Sequence, residues 1–171
     1  MADNTIPYSN RPRNDLTAEY VRSVLDYDPE TGLLRWKNRG GKIAGSTSKR
    51  GYVCVCLKGR IYKGHRIAWL IFTGQWPKNT IDHINGTHND NRFCNLRDAT
   101  GQQNRCNVGR QKNNTSGMKG ATWCKRSRRW IARIQVHKKM IYLGSYTTRE
   151  EAYSAYCDAA KRFHEEFARL A

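Results

Sequence analysis

Long apolar runs are missing from this chain of 171 residues. No run approaches the roughly 18 apolar residues that cross a bilayer, so we expect no membrane span. The opening residues, MADNTIPYSNRPRND, lack the apolar core that a secretory leader needs. We therefore expect a cytoplasmic protein whose six cysteines are free thiols in a reducing environment.

Acidic side chains are also scarce. The chain has 31 Lys and Arg against 14 Asp and Glu, a formal net charge of +17, and no acid at all between Arg105 and Lys139. This balance indicates a polyanionic partner, for which nucleic acid is the first candidate. Trp123, Trp130 and Ile131 lie within the acid-free stretch, which is typical of a folded binding surface rather than of a disordered tail.

Two recognition patterns are absent. No cysteine pair has the CxxC spacing of structural zinc sites, although Cys94 and Cys106 flank the central motif and Cys54-Val55-Cys56 lies upstream. Because these cysteines could still come together in the fold, a zinc site formed by them is the alternative to free thiols. The aromatic-platform motifs of the common RNA modules are missing too, which favours double-stranded DNA over RNA as the partner.

The sequence does contain one stretch dense in acid, imidazole and carboxamide groups, IDHINGTHNDNRFCNLRDATGQQNRCN at residues 81–107. Asn85-Gly86 predicts a turn within it. Thr100 with Gln103 is a capping box, which predicts a helix that carries Asn104. The predicted elements are a strand at 81–84, a strand at 95–97 and a helix from Gly101.

These residue types fit phosphodiester hydrolysis, which needs an activated water and a cation that offsets charge on the phosphate. A neutral imidazole, with a pKa near ~6.5, suits His83 to general-base work. Asp82 and Asn104 offer oxygen ligands for Mg²⁺ or Mn²⁺. Adjacent strand residues point to opposite faces, so Asp82 and His83 share a site only if the chain bends or the substrate lies between them. The alternative is that both are surface residues of a hairpin and the asparagines form turns.

The stretch resembles the core motif of the HNH endonucleases of phage and of intron homing enzymes. The matching segments are Asp82-His83-Ile84-Asn85-Gly86, Asn89-Asp90-Asn91-Arg92, Asn95-Leu96-Arg97 and Gln103-Asn104. The resemblance covers most of residues 15–107 and implies a ββα-metal nuclease module. It implies His83 as the general base, Asp82 and Asn104 as ligands of Mg²⁺ or Mn²⁺, and Asn95 as the residue that braces the loop.

Beyond a linker, the hydrophobic period changes to two, which predicts three antiparallel strands at 121–126, 130–137 and 140–146. Thr148 with Glu151 is a second capping box and predicts a long helix to about Arg169. Its expected inner stripe is Ala152, Tyr153, Ala155, Tyr156, Ala159, Ala160, Phe163 and Phe167.

The helix would leave one polar face of this sheet open to a DNA major groove. The candidate contacts on that face are Lys119, Arg126, Arg128, Arg133, Gln135 and Tyr142. Residues 116–170, with GATWCKRSRRWIARI, IYLGSYTTREEAYSAYCDAA and HEEFARL, resemble the ethylene-response-factor DNA-binding fold. Plant members often have Arg where this chain has Thr122, Cys124 and Met140.

Before the motif, the sequence predicts local elements and one basic loop. The expected elements are a helix capped by Thr17 and running through Leu25, a strand at 33–36, a basic loop at 40–51, a hairpin of 52–57 with 61–63, and a buried helix at 65–72. We expect His65, at the start of that buried helix, to be packed and hydrogen-bonded rather than catalytic.

The low hydrophobic fraction, 38%, favours two small cores over one large core. We predict an α+β protein: a ββα-metal HNH module, then a three-stranded antiparallel sheet packed on one long helix. The predicted divisions are a loose arm at 1–14, the nuclease at 15–107, a linker at 108–115 and the DNA-binding domain at 116–171.

The predicted function is site-directed DNA endonuclease activity by a monomer or a dimer. One general base and one metal should nick one strand, and two nicks would need two copies or rebinding. The alternative is a non-catalytic DNA-binding regulator in which the HNH-like unit is a remnant. A plasmid nicking assay with and without chelator separates the two.

Overall fold

The computed structural model describes residues 14–109 and 114–170. The chain divides into two compact units, Met1–Asp98 and Ala99–Ala171. Most of the predicted arm, and residues 110–113 of the predicted linker, lie outside the described residues. The division into a nuclease at 15–107 and a binding domain at 116–171 stays a prediction.

The first unit contains two helices and seven short strands within its described residues. In chain order they are α1 (Ala18–Val24), β1 (Leu25–Tyr27), β2 (Leu34–Trp36), β3 (Ser46–Thr47), β4 (Val53–Leu57), β5 (Arg60–Lys63), α2 (Gly64–Thr73), β6 (Thr80–His83) and β7 (Leu96–Ala99). β1 pairs with β2, the strands β3, β4 and β5 form an antiparallel sheet in that order, and β6 pairs with β7.

Two local predictions for this unit need correction. The helix capped by Thr17, whose hydroxyl accepts from the Tyr20 amide at 3.2 Å, ends at Val24. Leu25 instead begins β1, because it pairs with Trp36 across the β1–β2 sheet. The basic loop at 40–51 contains β3, a strand of two residues that forms only because β4 lies beside it.

The core of the first unit is built around α2, which packs against α1, β1, β4 and β5. Ile67, Leu70 and Val55 are almost completely buried, and full burial of such a side chain contributes roughly 1.5 to 3 kcal/mol. The helix ends where predicted, because Gly74 adopts a left-handed conformation and its amide donates to the Leu70 carbonyl at 3.0 Å. α2 therefore gives a rigid support for the residue at its start, His65.

The second unit contains a short helix, a three-stranded antiparallel sheet in the order β10-β9-β8, and a long helix. Its elements are α3 (Gly101–Cys106), β8 (Ala121–Cys124), β9 (Arg129–Val136), β10 (Lys139–Tyr146) and α4 (Arg149–His164). The helix α4 packs on the sheet, so the mixed architecture with one long helix on three strands is confirmed. Among the described residues, none of the helices is both long and apolar enough to cross a membrane.

Both predicted capping boxes are present. Thr100 and Gln103 exchange backbone and side-chain hydrogen bonds at the start of α3, and the Thr148 amide and hydroxyl engage Glu151 at the start of α4. The end of α4 differs from the prediction, because the helix stops at His164 and a 3₁₀ turn follows. That turn buries Phe167, whereas Phe163 is 41% exposed and does not belong to the inner stripe.

Candidate functional site

His83, the last residue of β6, is almost fully buried, with 3% of its surface exposed. Its Nε2 lies 3.2 Å from Oδ1 of Asn91. Asn91 is itself 2% exposed, and the Tyr27 hydroxyl donates to its backbone carbonyl at 2.7 Å. Any side chain at Gly32 would collide with the backbone of residues 91 and 92, so glycine is needed there. The imidazole is therefore held by a firmly packed loop.

Three aromatic rings surround the imidazole of His83. The ring of His65 stands edge-on to it, and the rings of His88 and Tyr52 lie with their centroids 6.0 and 6.1 Å away. His88 stacks on Tyr52 at a centroid distance of 4.1 Å, and its Nδ1 lies 2.9 Å from the carbonyl oxygen of Arg50. The cluster links β6 to α2 and to the start of the β4 segment.

Burial favours the neutral imidazole at His83 and at His65. Loss of hydration lowers the pKa of His83 below its ordinary value, and the hydrogen bond to Asn91 opposes that shift only in part. Burial, followed by the proximity of His83, lowers the pKa of His65 to about 3. A neutral His83 is the form that accepts a proton, so the site can supply a general base at physiological pH.

Asp82 forms a buried ion pair with Arg97 of β7. Its Oδ2 accepts hydrogen bonds from Nε and Nη2 of Arg97 at 2.9 and 2.8 Å, and Asp82 is 5% exposed. Since Asp82 and His83 are both buried, the alternative interpretation that they are surface residues of a hairpin is wrong. Asp82 is held by Arg97 and His83 by Asn91, as expected for neighbouring residues that point in different directions.

Asn95 is buried and joins both ends of the loop that follows β6. Its Oδ1 accepts from the Asn85 amide at 2.9 Å, and its Nδ2 donates to the Asp90 carbonyl at 2.8 Å. Asp90 also accepts hydrogen bonds from the Asn85 carboxamide and the Arg92 guanidinium, which hold its pKa well below its usual range, at about 2. These are the contacts of a residue that braces the loop.

Asn104 lies on α3, one turn after the capping box, and therefore belongs to the second unit. Its backbone amide donates to the Thr100 carbonyl at 2.9 Å, and its side chain is half-buried. The assignment of Asp82 and Asn104 as metal ligands remains a prediction. Within residues 14–109 and 114–170, no group of three or more His, Cys, Asp or Glu side chains is arranged to hold a metal ion.

The side chains of the candidate DNA contacts differ in their solvent exposure and in the hydrogen bonds that they already make. Arg126, Arg128, Arg133, Gln135 and Tyr142 are exposed on the three-stranded sheet or its β8–β9 turn. Lys119 is half-buried, and its Nζ donates to the carbonyls of Cys106, Val108 and Arg169 at 3.2, 2.7 and 3.1 Å. Burial lowers the pKa of this amine. Since its three protons have backbone acceptors, Lys119 stabilises the second unit rather than extending towards a ligand.

Sequence reasoning missed the residues that hold His83. Asn91 lies within the motif, eight residues after His83 and in a loop closed by Asn95, and this position is the local signal that could identify it. Tyr52 and Tyr27 are distant in sequence and carry no local signal. The expectation that His65 is packed is confirmed by its burial, but the expected hydrogen bond is not found at its Nδ1, which has no partner among the described residues.

Comparisons with known proteins identify the family of this segment. The family model for HNH endonuclease matches residues 62–106, which contain α2, the strand with His83 and the loop braced by Asn95. The chain is also 32% identical over 107 residues to Protein 3.8 of Escherichia phage T7, covering 62% of this chain and 88% of that protein. No solved structure gives a significant match. The chain belongs to the HNH endonuclease family, which supports a nuclease function with DNA as the substrate.

Proposed function

We propose that this protein is a metal-dependent, site-directed DNA endonuclease that hydrolyses phosphodiester bonds and nicks one strand per monomer. The observation that carries the proposal is His83: a buried, neutral imidazole, fixed by Asn91, within the segment that matches the family. The contact between Nε2 and Asn91 Oδ1 orients the ring, and a neutral imidazole has one nitrogen that can accept a proton. His83 then takes a proton from the attacking water.

The donor set of Asp82 and Asn104 fits a hard divalent cation, because carboxylate and carboxamide oxygens suit Mg²⁺ and Mn²⁺. When bound, the ion would offset the negative charge that develops on the phosphate and the leaving oxygen. Asp82 would be one ligand and Asn104 the other, in the ββα-metal arrangement. Arg97 holds the Asp82 carboxylate in a fixed place, and Asn95 keeps the loop closed over the strand with His83.

The second unit is proposed to hold the DNA, as an ethylene-response-factor-type domain at 116–171. The three-stranded sheet packed on α4 supports this proposal, as does the distribution of charge. No acidic residue lies between residues 99 and 149, and the acids of this unit all lie between residues 150 and 166, on α4 and the turn after it. The open sheet face therefore attracts a polyanion.

One observation favours the non-catalytic regulator as a second candidate. Oδ2 of Asp82 already accepts two hydrogen bonds from Arg97, and a carboxylate committed to an ion pair is a poorer metal ligand. In that case the first unit would contribute only a folded scaffold and the second unit would bind DNA. Nicking by the purified protein decides between the candidates.

The deciding experiment measures nicking of supercoiled plasmid and DNA binding in parallel, for the wild type and His83→Ala. We expect the variant to nick at least ~100-fold more slowly, the usual contribution of a general base, with nearly unchanged affinity. Lys161→Ala, at an exposed position of α4 away from the open sheet face, is the control. A wild-type rate in His83→Ala would remove His83 from the mechanism, and no nicking by the wild type in Mg²⁺ or Mn²⁺ would favour the regulator.

A further inference from the structure

One face of the three-stranded sheet is open, because α4 covers the other. Ala132 and Ile134 of β9 are buried beneath α4, so the alternate residues Ile131, Arg133 and Gln135 point to the opposite side. We call the open side the outer face. Its members in the paired strands are Thr122, Cys124, Arg129, Ile131, Arg133, Gln135, Met140, Tyr142 and Ser145.

The register sets polar and apolar side chains of the outer face beside one another. Met140 pairs with Gln135, and Tyr142 pairs with Arg133. Thr122 pairs with Ile131. Directly paired residues lie about 4.5 to 5.5 Å apart, so each hydrogen-bonding side chain has an apolar neighbour within reach.

Two large side chains of the outer face are highly exposed, and Ile131 beside them is half-buried. Met140 is 62% exposed and Tyr142 is 58% exposed, and both lie on the same side of β10. Large apolar side chains that are grouped and exposed commonly mark a binding surface. Their spacing of two residues corresponds to about 7 Å along a strand, close to two base-pair steps of DNA.

Charge identifies the kind of partner. The strands of the outer face and their turns carry Lys125, Arg126, Arg128, Arg129, Arg133, Lys138 and Lys139 and no acid. A surface with an apolar centre and a cationic margin is complementary to a major groove, whose floor holds base edges and methyl groups and whose rims are phosphates.

We propose that the outer face reads thymine 5-methyl groups, so that the protein prefers an A·T-rich site in the DNA that it holds. This inference rests on the proposed function, in which the second unit binds the substrate DNA. Thr122, Ile131 and Met140 present methyl groups to thymine methyls, Gln135 pairs with the edge of an adenine, and Arg133 pairs with the edge of one guanine. The preferred site would therefore consist mainly of A·T pairs, with one G·C pair opposite Arg133.

The test uses the full chain in chelator, so that DNA is bound but not cut. Short duplexes are first selected from a random library, and the selected duplex is then synthesised with uracil in place of thymine. Uracil keeps the base pair and removes only the 5-methyl group. We expect selection of A·T-rich duplexes and about three- to fourfold weaker binding for each contacted methyl group that is removed.

Variants of exposed residues test whether the outer face causes the difference in affinity between the thymine and uracil duplexes. Thr122→Ser and Met140→Ala should reduce the difference in affinity between the thymine and uracil duplexes. Arg133→Ala is the matched control, and it should weaken binding to both duplexes by the same factor. Thermal unfolding of each variant checks that the fold is retained.

The outcomes separate this inference from the proposed function. Equal affinity for thymine and uracil duplexes, with both weakened by Arg133→Ala, would overturn thymine reading and leave the sheet as the DNA-binding surface. Wild-type affinity of all three variants for every duplex would overturn DNA binding by the sheet itself. A selected site rich in G·C pairs would also overturn thymine reading.

Discussion

The imidazole of His65 stands edge-on to the imidazole of His83, with ring centroids 5.0 Å apart and ring planes at 87°. His65 lies at the start of α2, the helix that organises the core of the first unit, so the packed core directly supports the proposed base. Its Nδ1 is buried and has no hydrogen-bond partner within the part of the chain that the structure describes. This arrangement is tolerated only while the ring is neutral, because a buried charge without a partner is costly.

Stability should therefore fall as the pH is lowered. The pKa of His65 is about 3 in the folded protein and 6.5 when unperturbed, so between these values the unfolded chain binds a proton that the folded chain does not. Above about pH 6.5, His65 is neutral in both states and does not lower the free energy of unfolding. As the pH falls below about 6.5, protonation of the unfolded chain lowers that free energy by up to about 1.4 kcal/mol per pH unit. Urea unfolding across this range should show a smaller pH dependence for His65→Phe than for the wild type. Parallel curves would show that His65 is not the titrating group.

Asn91 should control the rate of nicking through the orientation of His83. Asn91→Leu removes the acceptor for Nε2, and we expect the rate to fall by about 10- to 100-fold, the usual cost of losing such an orienting partner. Asn91→Asp keeps an acceptor oxygen and should retain more activity. Asn89→Ala, at an exposed position of the same loop, is the control. Equal rates for Asn91→Leu and Asn91→Asp in folded proteins would show that Asn91 acts only in packing.

Loss of Arg97 should destabilise the first unit. Arg97→Met leaves the Asp82 carboxylate buried without its ion-pair partner, and such a change costs roughly 3 to 5 kcal/mol. The double variant Asp82→Asn with Arg97→Met removes both charges and should recover part of this loss. Urea unfolding of the single and double variants measures the coupling free energy. Purely additive effects would mean that the ion pair contributes little.

Nicking should depend on a hard divalent cation. Chelator should stop nicking, and either Mg²⁺ or Mn²⁺ should restore it, because oxygen ligands suit both ions. Asp82→Ala should need a higher concentration of the ion for half-maximal rate, whereas Asp26→Ala, at an exposed carboxylate of β1, should not. Full nicking in chelator would contradict the metal assignment, and tightly held stoichiometric zinc would favour thiolate ligands.

The β8–β9 turn should contribute to binding through phosphates. Arg126→Ala combined with Arg128→Asn should lower the salt dependence of duplex affinity by nearly two log-log units, since each neutralised phosphate contributes about 0.9. Asn suits position 128 because its φ of 50° lies in the left-handed region. Lys161→Ala with Arg162→Ala, at exposed positions of α4, is the matched control and should leave the slope unchanged. An equal fall in both double variants would point to a general charge effect.

Local signals predicted most of the elements correctly. A capping box involves two residues that are three positions apart, and the alternation along β9 involves consecutive residues. Both signals are local, so both elements could be predicted without knowledge of the fold. The end of α2 could also be predicted locally, because Gly74 alone gives the signal. The corrections concern elements that depend on distant partners: β3 exists beside β4, Leu25 joins a sheet with Trp36, and α4 stops before the turn that buries Phe167.

Charge, composition and motif spacing were enough to predict a basic protein with two small cores that carries Asp82, His83 and Asn95 in an HNH pattern. The contacts that hold these groups became known only from the fold: Asn91 and the edge of His65 hold His83, and Arg97 holds Asp82. The fold also shows that Lys119, a predicted DNA contact, donates to three backbone carbonyls. These contacts could not be predicted because burial and hydrogen-bond partners, which set the protonation and reach of a side chain, come from residues distant in the chain.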